Sequence, residues 1–207
     1  MLYFLKKFLL TAFAEYIILI MKTETAYSNI LLSALKLFSE YGYDAVSVSE
    51  IYKDAKVSSS VFKSLFENKE TLYSAIWEEF FGNLYNALKD AAIYRPTPED
   101  YERDVYGTIF SVFTVFQSYS KKYPEFFAIL KSIQFAPEQS DAKKLCSAYY
   151  DILINLFTDT FSDIGKIHGM IQGNERELAN SLIAQINCNI DIEPAKFTRR
   201  FMHGIFC

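Results

Sequence analysis

Phe62 and Phe66 lie one helical turn apart, and with Ile51, Val57 and Leu35 they supply an apolar side that must be buried. Burying it turns Ser59, Ser60, Lys63 and Ser64 toward solvent. Three serines and a lysine make a poor core. They make a good match for a polyanion: hydroxyls hydrogen-bond phosphate oxygens or base edges, and an ammonium carries charge to phosphate or guanine. The side chains are also small enough to enter a groove about 12 Å wide. Lys63 taken alone reads as an ordinary solvated lysine. The chemistry lies in the set, held in one braced unit.

No other constellation competes. The sequence holds no Gly-rich phosphate loop, no HExxH, no GxSxG and no paired carboxylates in a recognisable frame, so no catalytic residue is expected and the chain does not read as an enzyme. Cys146, Cys188 and Cys207 are scattered, with no CxxC spacing, and His168 and His203 fall in no ligand-spaced cluster, so neither a metal site nor another cofactor is expected. An odd, dispersed cysteine set suits a reducing, cytoplasmic setting. The formal net charge of −4 excludes a strongly basic protein, so contact with nucleic acid has to come from local layout.

The elements that would position the serine face are well punctuated. With seven Gly and five Pro in 207 residues, half of them hydrophobic, the chain reads as all-α. Ile30, Leu31, Ala34, Leu35 and Phe38 recur as one buried helical face from Tyr27 onward, and Gly42 ends that helix. Ser47-Val48-Ser49-Glu50 is a capping box that opens a second helix through Ile51 to about Ala55. Ser58 caps a third, from Ser59 to Phe66. Asn68 caps a fourth, which continues along the stripe Leu72, Ile76, Phe80, Leu84 and Leu88. Thr97 and Pro98 restart the chain after the break at Arg95-Pro96. Asn174 with Glu177 resembles another capping box. The last two helices, about 174–190 and 194–206, carry Leu178, Leu182, Ile183, Ile186 and Ile190, then Phe197, Phe201 and Ile205.

From Ile30 to Leu72 the sequence resembles the DNA-binding domain of the tetracycline-repressor (TetR) family. Leu37-Phe38, Tyr41-Gly42-Tyr43, Val48, Ile51, Val57-Ser58, Phe66, Lys69-Glu70 and Leu72 stand in the family's order and spacing over more than forty residues. The resemblance implies a helix-turn-helix reading a palindromic double-stranded operator, a homodimer, and a C-terminal helical domain that binds an inducer. Joined to the outward face, it nominates Ser47, Ser49, Ser58, Ser59, Ser60, Lys63, Ser64 and Lys69 as contacts to DNA. The expected domains are an N-terminal extension at 1–21, a DNA-binding domain at 22–72 with its helix-turn-helix at 47–66, and a ligand-binding and dimerisation bundle at 73–207. The expected activity is a ligand-released transcriptional repressor.

Several positions depart from the family pattern. Lys56 stands in the turn where Gly is usual, Tyr52 follows the helix-2 Ile where Ala is usual, and Lys63-Ser64-Leu65 replaces the aromatics that often precede the final Phe. Residues 22–72 hold six Lys, no Arg and seven acids, so few phosphates can be neutralised and a modest salt dependence is expected unless Lys6 and Lys7 form a basic arm.

The aromatics from Phe110 to Phe161 are foremost packing residues. Their density exceeds what a thin bundle needs, and Phe113, Phe116, Tyr119, Phe127, Tyr150 and Phe157 are therefore nominated to line a site for a small apolar or aromatic effector. Residues 1–20 pair Lys6-Lys7 with an apolar run of about 13 residues, against the ~20 that a spanning helix needs, and Glu15 interrupts it. That pattern argues against a membrane anchor and for one of two readings, a translation start at Met21 or a dispensable extra helix ahead of it. A membrane-associated helical adaptor using this segment is the alternative reading.

Overall fold

The computed structural model describes residues 2–94, 101–136, 139–168 and 174–206. Its elements are α1 (Leu2–Tyr41), α2 (Val48–Asp54), α3 (Ser59–Leu65), α4 (Lys69–Ile76), a π-helical turn (Trp77–Phe81), α5 (Gly82–Ala91), α6 (Tyr101–Lys122), α7 (Pro124–Phe135), α8 (Asp141–His168), α9 (Glu175–Asn189) and α10 (Pro194–Phe206). The fold is all-α, as expected, and divides into two compact units, Met1–Ala75 and Ile76–Cys207.

In the first unit α1 begins at Leu2, far ahead of Tyr27 where the apolar rhythm starts. Its 40 residues contain neither Gly nor Pro, so nothing interrupts the ladder and the extension and the scaffold helix are one element. Ile30, Leu31, Ala34, Leu35 and Phe38 are buried. Gly42 stops the helix in the left-handed region, at φ 83°, with its N–H on the Phe38 carbonyl at 3.0 Å. The capping box on α2 is complete. Ser47 Oγ accepts the Glu50 N–H at 3.3 Å, and Glu50 Oε2 accepts the Ser47 N–H at 2.8 Å.

Between α2 and α3 Lys56 takes φ 55°, the conformation that Gly adopts without a Cβ penalty. The turn geometry is thus kept without the family's usual Gly. Behind α3, Phe62 and Phe66 are buried with ring centroids 5.8 Å apart, and Tyr27 of α1 stacks on Phe66 at 5.2 Å. Phe38, Tyr43 and Tyr73 close the other side of this core as a triangle of rings 4.7 to 5.5 Å apart.

The second unit is a bundle of long helices. The stripe Phe80, Leu84 and Leu88 is buried as expected, but the single long helix predicted after Asn68 is interrupted: residues 77–81 widen into a π turn. Tyr119 of α6 donates its hydroxyl to the Phe80 carbonyl at 2.6 Å, and Trp77 packs on Phe126 at 5.3 Å and Tyr149 at 5.5 Å. These contacts come from α6, α7 and α8, so they lie beyond the reach of periodicity within the helix itself.

Asn174 precedes α9 but makes no side-chain cap bond, so the box read with Glu177 does not form. The Thr97-Pro98 restart falls outside the described residues. Pro124 opens α7 at its first turn, and Ala136, before Pro137, is extended as a pre-proline residue should be. α9 packs on α8 and α10 on α6. Gln117 Nε2 ties α6 to the end of α9 by donating to the Ile190 and Ile192 carbonyls at 3.0 and 2.9 Å.

Candidate nucleic-acid interface

Two short helices and a tight turn present the candidate contacts, and α1 braces them through Phe62 and Phe66. Ser47, Ser58, Ser59, Ser60, Lys63 and Ser64 are all exposed, while Ser49 is half-buried. Several hydroxyls are engaged locally. Ser47 Oγ lies 3.0 Å from Ser49 Oγ and 2.6 Å from Glu50 Oε2. Ser58 Oγ caps α3 by accepting the Val61 N–H at 3.3 Å and lies 2.9 Å from Ser60 Oγ. Ser64 Oγ donates back to the Val61 carbonyl at 2.7 Å. Such bonds compete with bonds to a partner, so these serines shape and fix the surface at least as much as they offer donors to it.

Charge on the surface is uneven. Lys63 projects from the last turn of α3, exposed. Lys69 is different in kind: its half-buried ammonium donates to the Tyr43 and Val46 carbonyls at 3.0 and 3.1 Å and sits 4.3 Å from the Tyr43 ring centre. Two of its three protons thus stitch α4 to the α1–α2 connection, which leaves it one for a phosphate. Lys36 faces Asp54 at 3.5 Å across an exposed pair. The Ser47 hydroxyl and backbone bonds hold the Glu50 carboxyl below its ordinary value, so this acid stays ionised beside the helix entry.

The expected contacts omit one side chain on this surface. Val61 stands 37% exposed amid Ser60, Lys63 and Ser64. The signal was available: Val61 precedes the buried Phe62 by one helical step of about 100° and so cannot share its burial.

The residues nominated for an effector divide. Phe116, Phe127 and Phe157 are buried and meet ring to ring, Phe116 lying 6.1 Å from Phe127 and 6.3 Å from Phe157. Tyr119 joins them 6.3 Å from Phe127, and burial raises its phenol well above the ordinary range, so it acts as a neutral donor. Phe113 is buried too and stacks on Phe197 of α10 at 4.0 Å. Tyr150 is half-buried on α8.

Sequence reasoning passed over Asn187. It is 5% exposed on the apolar side of α9, and among the described residues neither its Oδ1 nor its Nδ2 meets a hydrogen-bonding partner. A lone Asn in a stripe of Ile and Leu carries no sequence signal of its own; only burial marks it. Cys146 is a buried thiol that burial pushes up to about 12, which leaves it inert, and among the described residues no group of acids, His and Cys is placed to hold a metal.

Among the described residues no helix is long and apolar enough to cross a membrane. Residues 30–76 match the sequence model for bacterial regulatory proteins of the tetR family. The HTH-type transcriptional regulator YuxN of Bacillus subtilis (strain 168) is 34% identical over 59 residues, which are 28% of this chain and 20% of that one. The matched stretch thus spans about a fifth of that relative.

The overall architecture resembles the fatty acid degradation regulator FadR from Bacillus halodurans, with a TM-score of 0.66 at 14% identity over 86% of this chain and 93% of that one. It also resembles FadR from Bacillus subtilis in complex with stearoyl-CoA, with a TM-score of 0.65 at 13% identity over 86% and 97% of the two chains. A third neighbour, a regulatory protein of the tetR family from Rhodococcus RHA1, superposes with a TM-score of 0.63 at 16% identity, over 87% and 94%. The matched family and these neighbours are regulators, not enzymes. Residues 30–76 thus carry a helix-turn-helix domain like that of the tetR family of bacterial regulatory proteins, within an all-helical chain whose architecture is that of these neighbours.

Proposed function

We propose that this protein represses transcription in the cytoplasm as a homodimer on a palindromic operator, and that an apolar effector bound in its second unit releases it. The observation that carries this reading is the serine–lysine surface of α3, backed by buried Phe62 and Phe66 and lying inside the matched domain. Two copies related by a two-fold axis would set their α3 helices roughly 34–36 Å apart, one turn of duplex DNA.

The direct contacts would come from α3, with Lys63 on phosphate and the serines on backbone or base edges, and with Ser47 and Ser49 at the start of α2. The dimer would use α9 and α10 through their outward sides, because Leu182, Ile183, Ile186, Phe197 and Phe201 are already buried within the chain. That leaves Asn180, Ala184 and Cys188, exposed on one side of α9, as contact residues for a second copy.

The effector would enter beside Phe116, Tyr119, Phe127 and Phe157, with Phe113 and Tyr150 at the margins. Stearoyl-CoA in the Bacillus subtilis FadR neighbour supports a long apolar molecule as the class to try first. An effector that favours a conformer with a different spacing of the two α3 helices shifts the population away from DNA.

Selection of bound duplexes from random fragments tests the first part. A palindromic consensus is expected, and Lys63→Ala should weaken binding to all sequences and lower the salt slope by about one per copy. Protein that stays monomeric and ignores every duplex at low ionic strength ends the reading. For the effector, a panel of apolar compounds that produces neither a thermal shift nor operator release removes that part alone.

A further inference from the structure

The one apolar side chain on the outward surface of α3 has a counterpart in the major groove. Among the groups that base pairs display there, the thymine methyl is the apolar one; the rest are hydrogen-bond donors and acceptors. We infer that Val61 reads a thymine in each half-site through van der Waals contact with that methyl. The inference rests on the assignment of α3 as the helix that enters the groove.

Three observations point to Val61. It stays 37% exposed although its neighbour Phe62 is buried, so the fold presents it instead of hiding it. Its peptide is held on both sides, the N–H donating to Ser58 Oγ at 3.3 Å and the carbonyl accepting from Ser64 Oγ at 2.7 Å. A β-branched side chain on such a backbone has essentially one χ1 choice, so its two methyls are presented without entropy to lose. The hydroxyls around it are committed: Ser58 and Ser60 to each other, Ser64 to the Val61 carbonyl. Direct hydrogen-bond readout from this stretch is therefore thin. Lys63, a flexible point charge, supplies affinity more than discrimination.

The test uses the full-length protein and the operator obtained by selection. Each thymine of one half-site is replaced in turn by deoxyuridine, which removes the methyl and leaves every hydrogen-bonding group in place. One position should weaken wild-type binding about fourfold, the worth of one methyl-sized apolar group removed from water. Val61→Ala should bind the thymine and uracil operators equally, at about the weakened level, with an unchanged salt slope. Lys63→Ala should show the converse, a lower slope with the thymine–uracil ratio intact.

Val61→Thr, which keeps one γ-methyl, should retain part of the ratio. Because Val61 is exposed, an unchanged melting temperature in Val61→Ala is the control for folding. An operator indifferent to the loss of every methyl, or a uracil penalty that persists undiminished in Val61→Ala, overturns the role of Val61 while leaving the DNA-binding function standing. Failure to select any duplex overturns both together.

Discussion

The two units bury similar residue types by different means. In the first, short helices are begun and ended by local hydrogen bonds: the Ser47–Glu50 box, the Ser58 cap, and Asn68 with Thr71, whose backbone N–H donates to Asn68 Oδ1 at 2.8 Å. In the second, long helices are registered by distant contacts, such as Gln117 on the Ile190 and Ile192 carbonyls and Thr160 on the Ala92 carbonyl at 3.2 Å. Local caps position a surface without needing a large core. Long-range ties hold a bundle whose interior is dense with rings. Under the proposed function, the first construction suits a DNA-reading surface, which must be rigid and small, and the second an effector-binding bundle, which must be able to repack.

The largest effect that probes this contrast is core truncation. Phe62→Ala removes the brace behind α3 and should cost about 3–5 kcal/mol. Hydrogen exchange should then show lost protection in α1–α3 while α8 and α9 keep theirs; equal loss in both would mean that the units do not fold with separate cores. Next comes Asn187→Leu. An orphaned buried amide costs about 1–3 kcal/mol, so an apolar residue of similar volume should raise the melting temperature of the second unit. A lower melting temperature would show that Asn187 has a partner in solution, and abolished effector response would make that partner the effector.

Lys56→Gly should stabilise the first unit by about 1 kcal/mol or less, since the left-handed cost of roughly 1–2 kcal/mol is partly offset by the added freedom of Gly, about 0.5–1 kcal/mol. Chemical denaturation midpoints at constant m decide it. The smallest effect belongs to Glu50. Its folded-state carboxyl is held below the ordinary 4.5, so its contribution is present above that pH and is lost as pH falls through the lowered value. The difference in melting temperature between wild type and Glu50→Gln should therefore be largest near neutrality and shrink on acidification; a constant difference would remove ionisation from the account.

Much of the first unit was legible because its signals are local. Ser47, Ser58, Asn68 and Gly42 act on backbone groups within four residues of themselves, and the burial of Phe62 and Phe66 follows from a single helical period. Local signals failed where a competing cause was distant or where a stop was missing. α1 ran on to Leu2 because no residue breaks it, and the Asn174 box did not form although its residues are in place. The π turn at 77–81 gives its Phe80 carbonyl to Tyr119, some forty residues away in sequence, and no periodicity in α4 and α5 could announce that partner.

Sequence alone was enough to establish an all-helical chain, a serine–lysine surface on α3 and the family whose domain carries it, since helix periodicity, capping and short turns are written into consecutive residues. Only the tertiary structure decided that Lys69 is half spent on two carbonyls, that Phe113 stacks on Phe197, and that Asn187 is buried without a partner among the described residues. Burial and partner choice are properties of neighbours brought together by folding, and the identity of those neighbours is not encoded within any single helix.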